Sequence, residues 1–152
     1  MRTMVKRRSG SRVLTRIEHS IDCDADPYVP TGWSVRAHRR RGVVLWDAGT
    51  VALFHSGRQV GGTCITGFEL LKELSTNQAM NANVLDFLLA HPRYIPTSWK
   101  GKYVYFMDTI YDDDEGDGCV RCLVFSGVHW YWSHGYLRDK FSANNPAAVR
   151  VA

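Results

Sequence analysis

Three stretches hold residue types that could do chemistry. Cys119 and Cys122 form C-x-x-C, a spacing that holds zinc or a redox disulfide when it sits in a tight knuckle. Here the pair lies in "CVRCLVF", an apolar, β-branched run that reads as a strand. Residues three apart on a strand point to opposite faces, so the two thiols are not expected to share a metal. The second stretch is "IDCDADP", where Cys23 stands among Asp22, Asp24 and Asp26. Neighbouring carboxylates raise a thiol's pKa and weaken it as a nucleophile, although a triad with His19 or His38 and an Asp remains open. The third, "DDDEGDG", echoes half of an EF-hand loop, but its twelfth position would be Val124 and its flanks read as strands. It is expected to be a solvated turn. The six histidines show no metal spacing, and no nucleophile elbow, phosphate loop or dinucleotide fingerprint occurs. No cofactor and no metal is expected.

Binding chemistry is better represented. "VHWYWSHGY" packs two tryptophans, two tyrosines and two histidines into nine residues. The elements that must position them read as follows. "VLTRIEHSI" (13–21), "VVLW" and "VALFH" are strand candidates. Ser34 is placed to cap a short helix "VRAHRRR" that stops at Gly42, and "GGTCITG" reads as loop. "FELLKELS" and "NANVLDFLLAH" have helical spacing, the second with Val84, Leu85, Leu88 and Leu89 on one stripe and Pro92 closing it. "KYVYFMDTIY" (102–111), "CVRCLVF" and the aromatic run then read as an antiparallel meander. With Ser126-Gly127 as a two-residue turn, Leu123 faces Trp130 and Arg121 faces Trp132; across the acidic loop Tyr111 faces Cys119 and Tyr105 faces Phe125.

One side of this meander is aliphatic and the other carries Tyr103, Tyr105, Tyr111, Phe125, Trp130 and Trp132 around Arg121. A sheet apolar on both sides must be covered twice or present one face to a ligand. The ring face is therefore either a second core or a stacking platform for bases, sugars or a peptide. Asp108 falls on the aliphatic side, which points to a bulge that would shift the register before it. A second candidate surface is the "IPTSWKGK" corner, where Trp99 and Lys100 join stacking area to positive charge.

With 152 residues, 45% hydrophobic and 22% charged, the chain is long enough for one core and unlike a disordered or fibrous protein. The net charge of +4 originates in residues 1–16, which hold Arg2, Lys6, Arg7, Arg8, Arg12 and Arg16 and no acid; the rest is slightly acidic. Residues 1–16 are read as a basic flexible tail and 17–152 as a single domain. No apolar run reaches the roughly 18 residues of a membrane span, and no secretory signal follows the basic start, so the cytoplasm is expected.

From "IEHSIDCDADPYVPTGWSVRAH" through "MNANVLDFLLAHPRYIPTSWKGKYVYF" to "DTIYDDDEGDGCVRCLVFSGVHWYWSHGYLRDKFSANNPAAV", the chain resembles a family of small bacterial proteins of uncharacterised activity, many from uncultured lineages. The family pattern reads like "FFWGTIYR" before a compact "DSDG" turn. Met107 stands where Trp is usual, Asp108 where Gly is usual, and the turn is longer and more acidic. The usual Gly agrees with a bulge at this point, and a turn that compact cannot fill a calcium coordination sphere. The resemblance implies no activity, cofactor or catalytic residue.

The expected fold is α+β: N-terminal strands and a short helix, a central helical pair, and a C-terminal three-stranded antiparallel meander. The expected function is a non-enzymatic binding module using Tyr105, Arg121, Trp130, Trp132, Trp99 and Lys100. Its partner would be a protein, a nucleic acid or a second copy. A small hydrolase or transferase built on the "IDCDADP" loop stays open as the alternative.

Overall fold

The spine of the molecule is β9 (Gly118–Phe125), the longest strand in a computed structural model that describes residues 19–76 and 78–151. β10 (Trp130–Tyr136) runs antiparallel along one edge of β9. The other edge is shared by β8 (Thr109–Asp112) at one end and β7 (Val104–Tyr105) at the other. β8 pairs with β2 (Ser34–His38), while β7 runs parallel to β12 (Ala147–Arg150). β12 in turn pairs with β4 (Val51–Phe54) and β6 (Gln78–Ala79), completing an eight-stranded mixed sheet. Two small ribbons flank it: β1 (Ser20–Asp22) with β3 (Val43–Leu45), and β5 (Ile65–Thr66) with β11 (Lys140–Phe141).

This overturns the expected fold of a small helical pair beside a three-stranded meander. Strand accounts for 35% and helix for 24% of the described structure, and most of the strand lies in one large sheet. "VRAHRRR" is not a helix: its first residues belong to β2. The segment has arginines of good helix propensity but no apolar stripe to bury. Pairing with β8 satisfies its backbone instead, and its arginines reach acids on separate segments: Arg36 to Asp112, Arg40 to Asp26 at 2.9 Å and Arg41 to Asp108 at 2.7 Å. "GGTCITG" is partly strand, as β5. The 147–150 segment, unassigned from sequence, is an inner strand of the sheet.

The helices form as their caps direct. α1 (Gly57–Val60) is a single turn; α2 (Gly67–Glu73) opens on a reciprocal Thr66–Glu69 capping box; α3 (Ala82–Ala90) opens on the Asn81 side chain, which accepts from the Asn83 N–H at 3.1 Å. The Thr66 N–H and then Arg58 hold the Glu69 carboxyl down at about 2. α2 and α3 do not pack as a pair. Val84, Leu85 and Leu88 of α3 join Val104, Phe106, Leu123, Trp46 and Trp99 on one side of the sheet. Leu70 of α2 joins Ile65, Val120, Cys122, Val124 and Phe141 on the other. Two apolar faces therefore receive two covers, which is why the β9–β10 hairpin carries apolar residues in both phases.

Register explains the rest. "KYVYFMDTIY" is broken at residues 106–108 into β7 and β8. Tyr111 faces Cys119 as expected, but Tyr105 faces Cys122 instead of Phe125. This odd offset reverses the faces of everything before the break. Asp108 causes it: its N–H donates to the Met80 carbonyl at 3.0 Å and its buried carboxylate accepts from Arg41, so it leaves the ladder. The β9–β10 loop is Ser126–His129 instead of a two-residue turn, closed by the Ser126 N–H donating to the His129 carbonyl at 2.9 Å. Leu123 therefore faces Trp132 and Arg121 faces His134. This shift by two leaves the faces as expected.

Candidate functional site

Arg121 is 1% exposed and lies under the ring face of the hairpin. Its two terminal nitrogens donate to the two oxygens of Asp86 at 2.9 and 2.8 Å, a bidentate pair that ties β9 to α3. Its guanidinium lies 4.4 Å from the ring of Trp132 and 5.1 Å from that of Tyr28. Burial pulls the Arg121 pKa down and the Asp86 carboxylate more than restores it. The Nε atom is buried with no acceptor.

Where this assembly meets solvent there is an open cleft of about 630 Å3, with Arg121 at its floor and Asp22, Asp26, Tyr28, Asn83, Asp86 and Trp132 among its walls. The "IDCDADP" loop forms one wall because other side chains hold its backbone. Asn83 donates to the carbonyls of Asp22 and Ala25 at 3.0 and 2.9 Å, and Asn81 donates to that of Cys23 at 3.0 Å. His38 bridges the Ala25 carbonyl and the Thr109 hydroxyl at 3.1 and 2.9 Å, and burial lowers its pKa. The segment after Pro27 folds back over the rings. Tyr111 donates its hydroxyl to the Tyr28 carbonyl at 2.8 Å, and Trp33 meets Tyr111, Trp132 and His134 with centroids 5.4, 5.9 and 5.0 Å away.

The residues expected to bind are thus dispersed. Arg121 and Trp132 come together at the cleft. Trp130 packs on Phe125 at 5.1 Å and against the α3 core. Tyr105 is on the opposite face because of the break at 106–108, its hydroxyl only 2.6 Å from where a Cβ on Gly135 would stand. Trp99 is 3% exposed and packs edge-on to Trp46 and Phe106, so it belongs to the core. Lys100 is exposed and lies 4.3 Å over the Phe125 ring.

Sequence reasoning missed Tyr28, Trp33, Asp22 and Asp86 as ring-face partners. A signal existed for one of them: Asp86 is the lone acid in the apolar "VLDFLL" and Arg121 the lone base in "CVRCLVF", and isolated charges in two buried elements must find each other.

Three of the four cysteines, Cys23, Cys119 and Cys122, are buried and lack nucleophilic character. Cys23 is 1% exposed, and burial followed by the Asp22 charge pushes its thiol up to about 11. Cys119 packs with Ala82 and Tyr111 while Cys122 packs with Tyr105 across the sheet, and burial pushes each to about 12. In the acidic turn, Asp113 accepts from the N–H groups of Glu115 and Asp117, both at 2.9 Å, and from the Tyr136 hydroxyl at 2.9 Å. Its carboxylate therefore organises the turn. Among the described residues no helix is long and apolar enough to cross a membrane. Compared with protein-family models, curated proteins and solved structures, the chain matches none.

Proposed function

We propose that the protein is a non-enzymatic binding module that takes a basic side chain of a protein partner into the cleft above Arg121. The carrying observation is the cleft's lining: three carboxylates and three aromatic rings, with the one lining cation among the described residues, Arg121, already engaged by Asp86. Asp86 is paired with Arg121 and Asp26 with Arg40 at 2.9 Å, so Asp22 supplies the uncompensated negative charge, and Tyr28, 53% exposed, offers a ring face to a cation. A nucleic acid has less support as the occupant, since its phosphates would face the same carboxylates. The hydrolase reading also has less support, because Cys23 is sealed in the core and protonated at neutral pH. Residence in the cytoplasm belongs to this proposal and agrees with four unpaired thiols.

The test is tryptophan fluorescence of the full chain titrated with an Arg- and Lys-containing peptide, a matched acidic peptide and a single-stranded oligonucleotide. Saturable binding of the basic peptide is expected, weakened at least tenfold by Tyr28→Ala and by Asp22→Asn with melting unchanged. Indifference of basic-peptide binding to both variants would sink the proposal. Oligonucleotide binding that those variants weaken would replace it with a nucleic-acid site.

A further inference from the structure

A second, smaller cavity of about 140 Å3 lies beside the same loop: Asp22 lines the cleft, and Cys23, the next residue, lines this one. Its floor belongs to the core, since Cys23, Val44, Met80 and Val84 are each at most 4% exposed and pack in one cluster. The rest of its lining is polar and cationic. Arg150 of β12 and Gln78 of β6 are cross-strand partners, both exposed, and Arg41 enters just ahead of β3.

Two observations make this a site for negative charge. The lining holds two guanidinium groups and no carboxylate. Asp108 accepts from the Arg41 Nε at 2.7 Å and so offsets one of the two charges, whereas no ion pair or side-chain hydrogen bond meets Arg150 among the described residues. Asp22 and Asp24 act on Cys23 from the exposed loop, where solvent screens them, and the protonated Cys23 thiol adds no charge. The second observation is the Arg41 Nη2 atom, which is buried with no acceptor. A buried donor in that condition costs stability, and an anion set against the two guanidinium groups supplies acceptors.

The floor narrows the choice of anion. A bare oxyanion such as phosphate would turn oxygens toward Val44, Met80 and Val84, whose side chains offer no donor. A carboxylate with a short aliphatic tail suits both ends: its planar head matches a guanidinium fork, and its tail buries against those three side chains. At about 30 Å3 for each water-sized group, 140 Å3 holds about four or five such groups, the size of a tail of a few carbons with its head at the arginines. We infer that this cavity is a binding site for a small aliphatic monocarboxylate, held by Arg41 and Arg150 at its head and by Val44, Met80 and Val84 along its tail.

Heteronuclear NMR of the full chain, titrated at fixed ionic strength with acetate, propionate, butyrate, butyramide and inorganic phosphate, tests this. Butyrate should shift the Arg41 Nε–H and the Met80 and Val84 amide resonances saturably, with affinity rising about fourfold per methylene from acetate to butyrate. Butyramide, uncharged, should bind at least tenfold more weakly. Arg150→Gln removes a cation and Gln78→Glu adds a carboxylate, both at exposed positions. Each should weaken butyrate at least tenfold with the melting temperature unchanged, and the second stands if the first fails to fold. Absence of a saturable shift would overturn the inference, as would butyramide binding as well as butyrate, or butyrate binding that the folded variants leave intact. Phosphate that displaces butyrate, with no methylene trend among the carboxylates, would replace it with a site for a bare oxyanion.

Discussion

Breaking the Arg121–Asp86 pair strands a buried charge. Asp86→Ala leaves a 99%-buried guanidinium without its counter-ion and should cost about 3 kcal/mol in urea unfolding, the low end for buried pairs because the Asp86 side chain is itself 36% exposed. Arg121→Met combined with Asp86→Leu should recover most of that loss, since a matched apolar pair leaves no orphaned charge. The thiols give a second prediction at this scale. Half-buried Cys64 should react with an aromatic disulfide reagent at pH 8 in the native state, while Cys23, Cys119 and Cys122, raised to about 11, 12 and 12, should react only on unfolding. The burial of Cys119 and Cys122 on opposite faces was legible from a spacing of three on a strand. The position of Tyr105 was not, because it depends on a break that Asp108 makes by bonding to Met80 and Arg41, groups distant in sequence.

Loops and turns here are held by single polar side chains, which makes them the acid-sensitive elements. The Asp117 N–H above all lowers the Asp113 pKa, so the folded turn favours the carboxylate. Its contribution is complete above the ordinary carboxylate range and disappears as pH falls through the lowered folded value. His38, lowered from 6.5 by burial, is neutral in the fold; its contribution is complete above about 6.5 and diminishes as pH falls from there. Melting temperature should therefore decline in two stages between pH 7 and pH 3. His38→Gln should flatten the upper stage and Asp113→Asn the lower. At the start of α2, a Cβ on Gly67 would stand 2.9 Å from the Leu137 Cα and 3.0 Å from the Leu137 carbonyl oxygen. Gly67→Ala should thus destabilise by about 1–3 kcal/mol in denaturant unfolding despite its better helix propensity. The apolar stripe of α3 was readable; the Thr66 cap of α2, and that α2 and α3 cover opposite faces, were not, since periodicity says only that a helix has a face to bury.

Cohesion of the whole molecule depends on β12, which sits between β4 on one side and β6 and β7 on the other. Removing residues 146–151 exposes inner ladder edges and takes Ala147, Ala148 and Val149 out of both cores. The shortened chain should lose its cooperative thermal transition by near-ultraviolet dichroism. Leu85→Ala, a cavity in one core alone, should keep that transition while losing about 2–5 kcal/mol in urea unfolding. The two outcomes together separate a missing inner strand from a weakened layer.

Amino-acid order alone determined the features that arise within a few residues: a helix start at Asn81 or Asn83, the α3 stripe, the turn of the acidic loop, and the apolar character of both sides of the β9–β10 hairpin. Tertiary structure decided what depends on partners far along the chain. It made "VRAHRRR" a strand by supplying β8 as its neighbour, inserted β12 into the sheet, and moved Tyr105 away from Arg121. It also assembled the acidic, aromatic cleft from the 20–28 segment, α3 and the hairpin. The physical reason is that a hydrogen-bonding backbone accepts whichever partner also lets its side chains pack, and local sequence does not specify that partner.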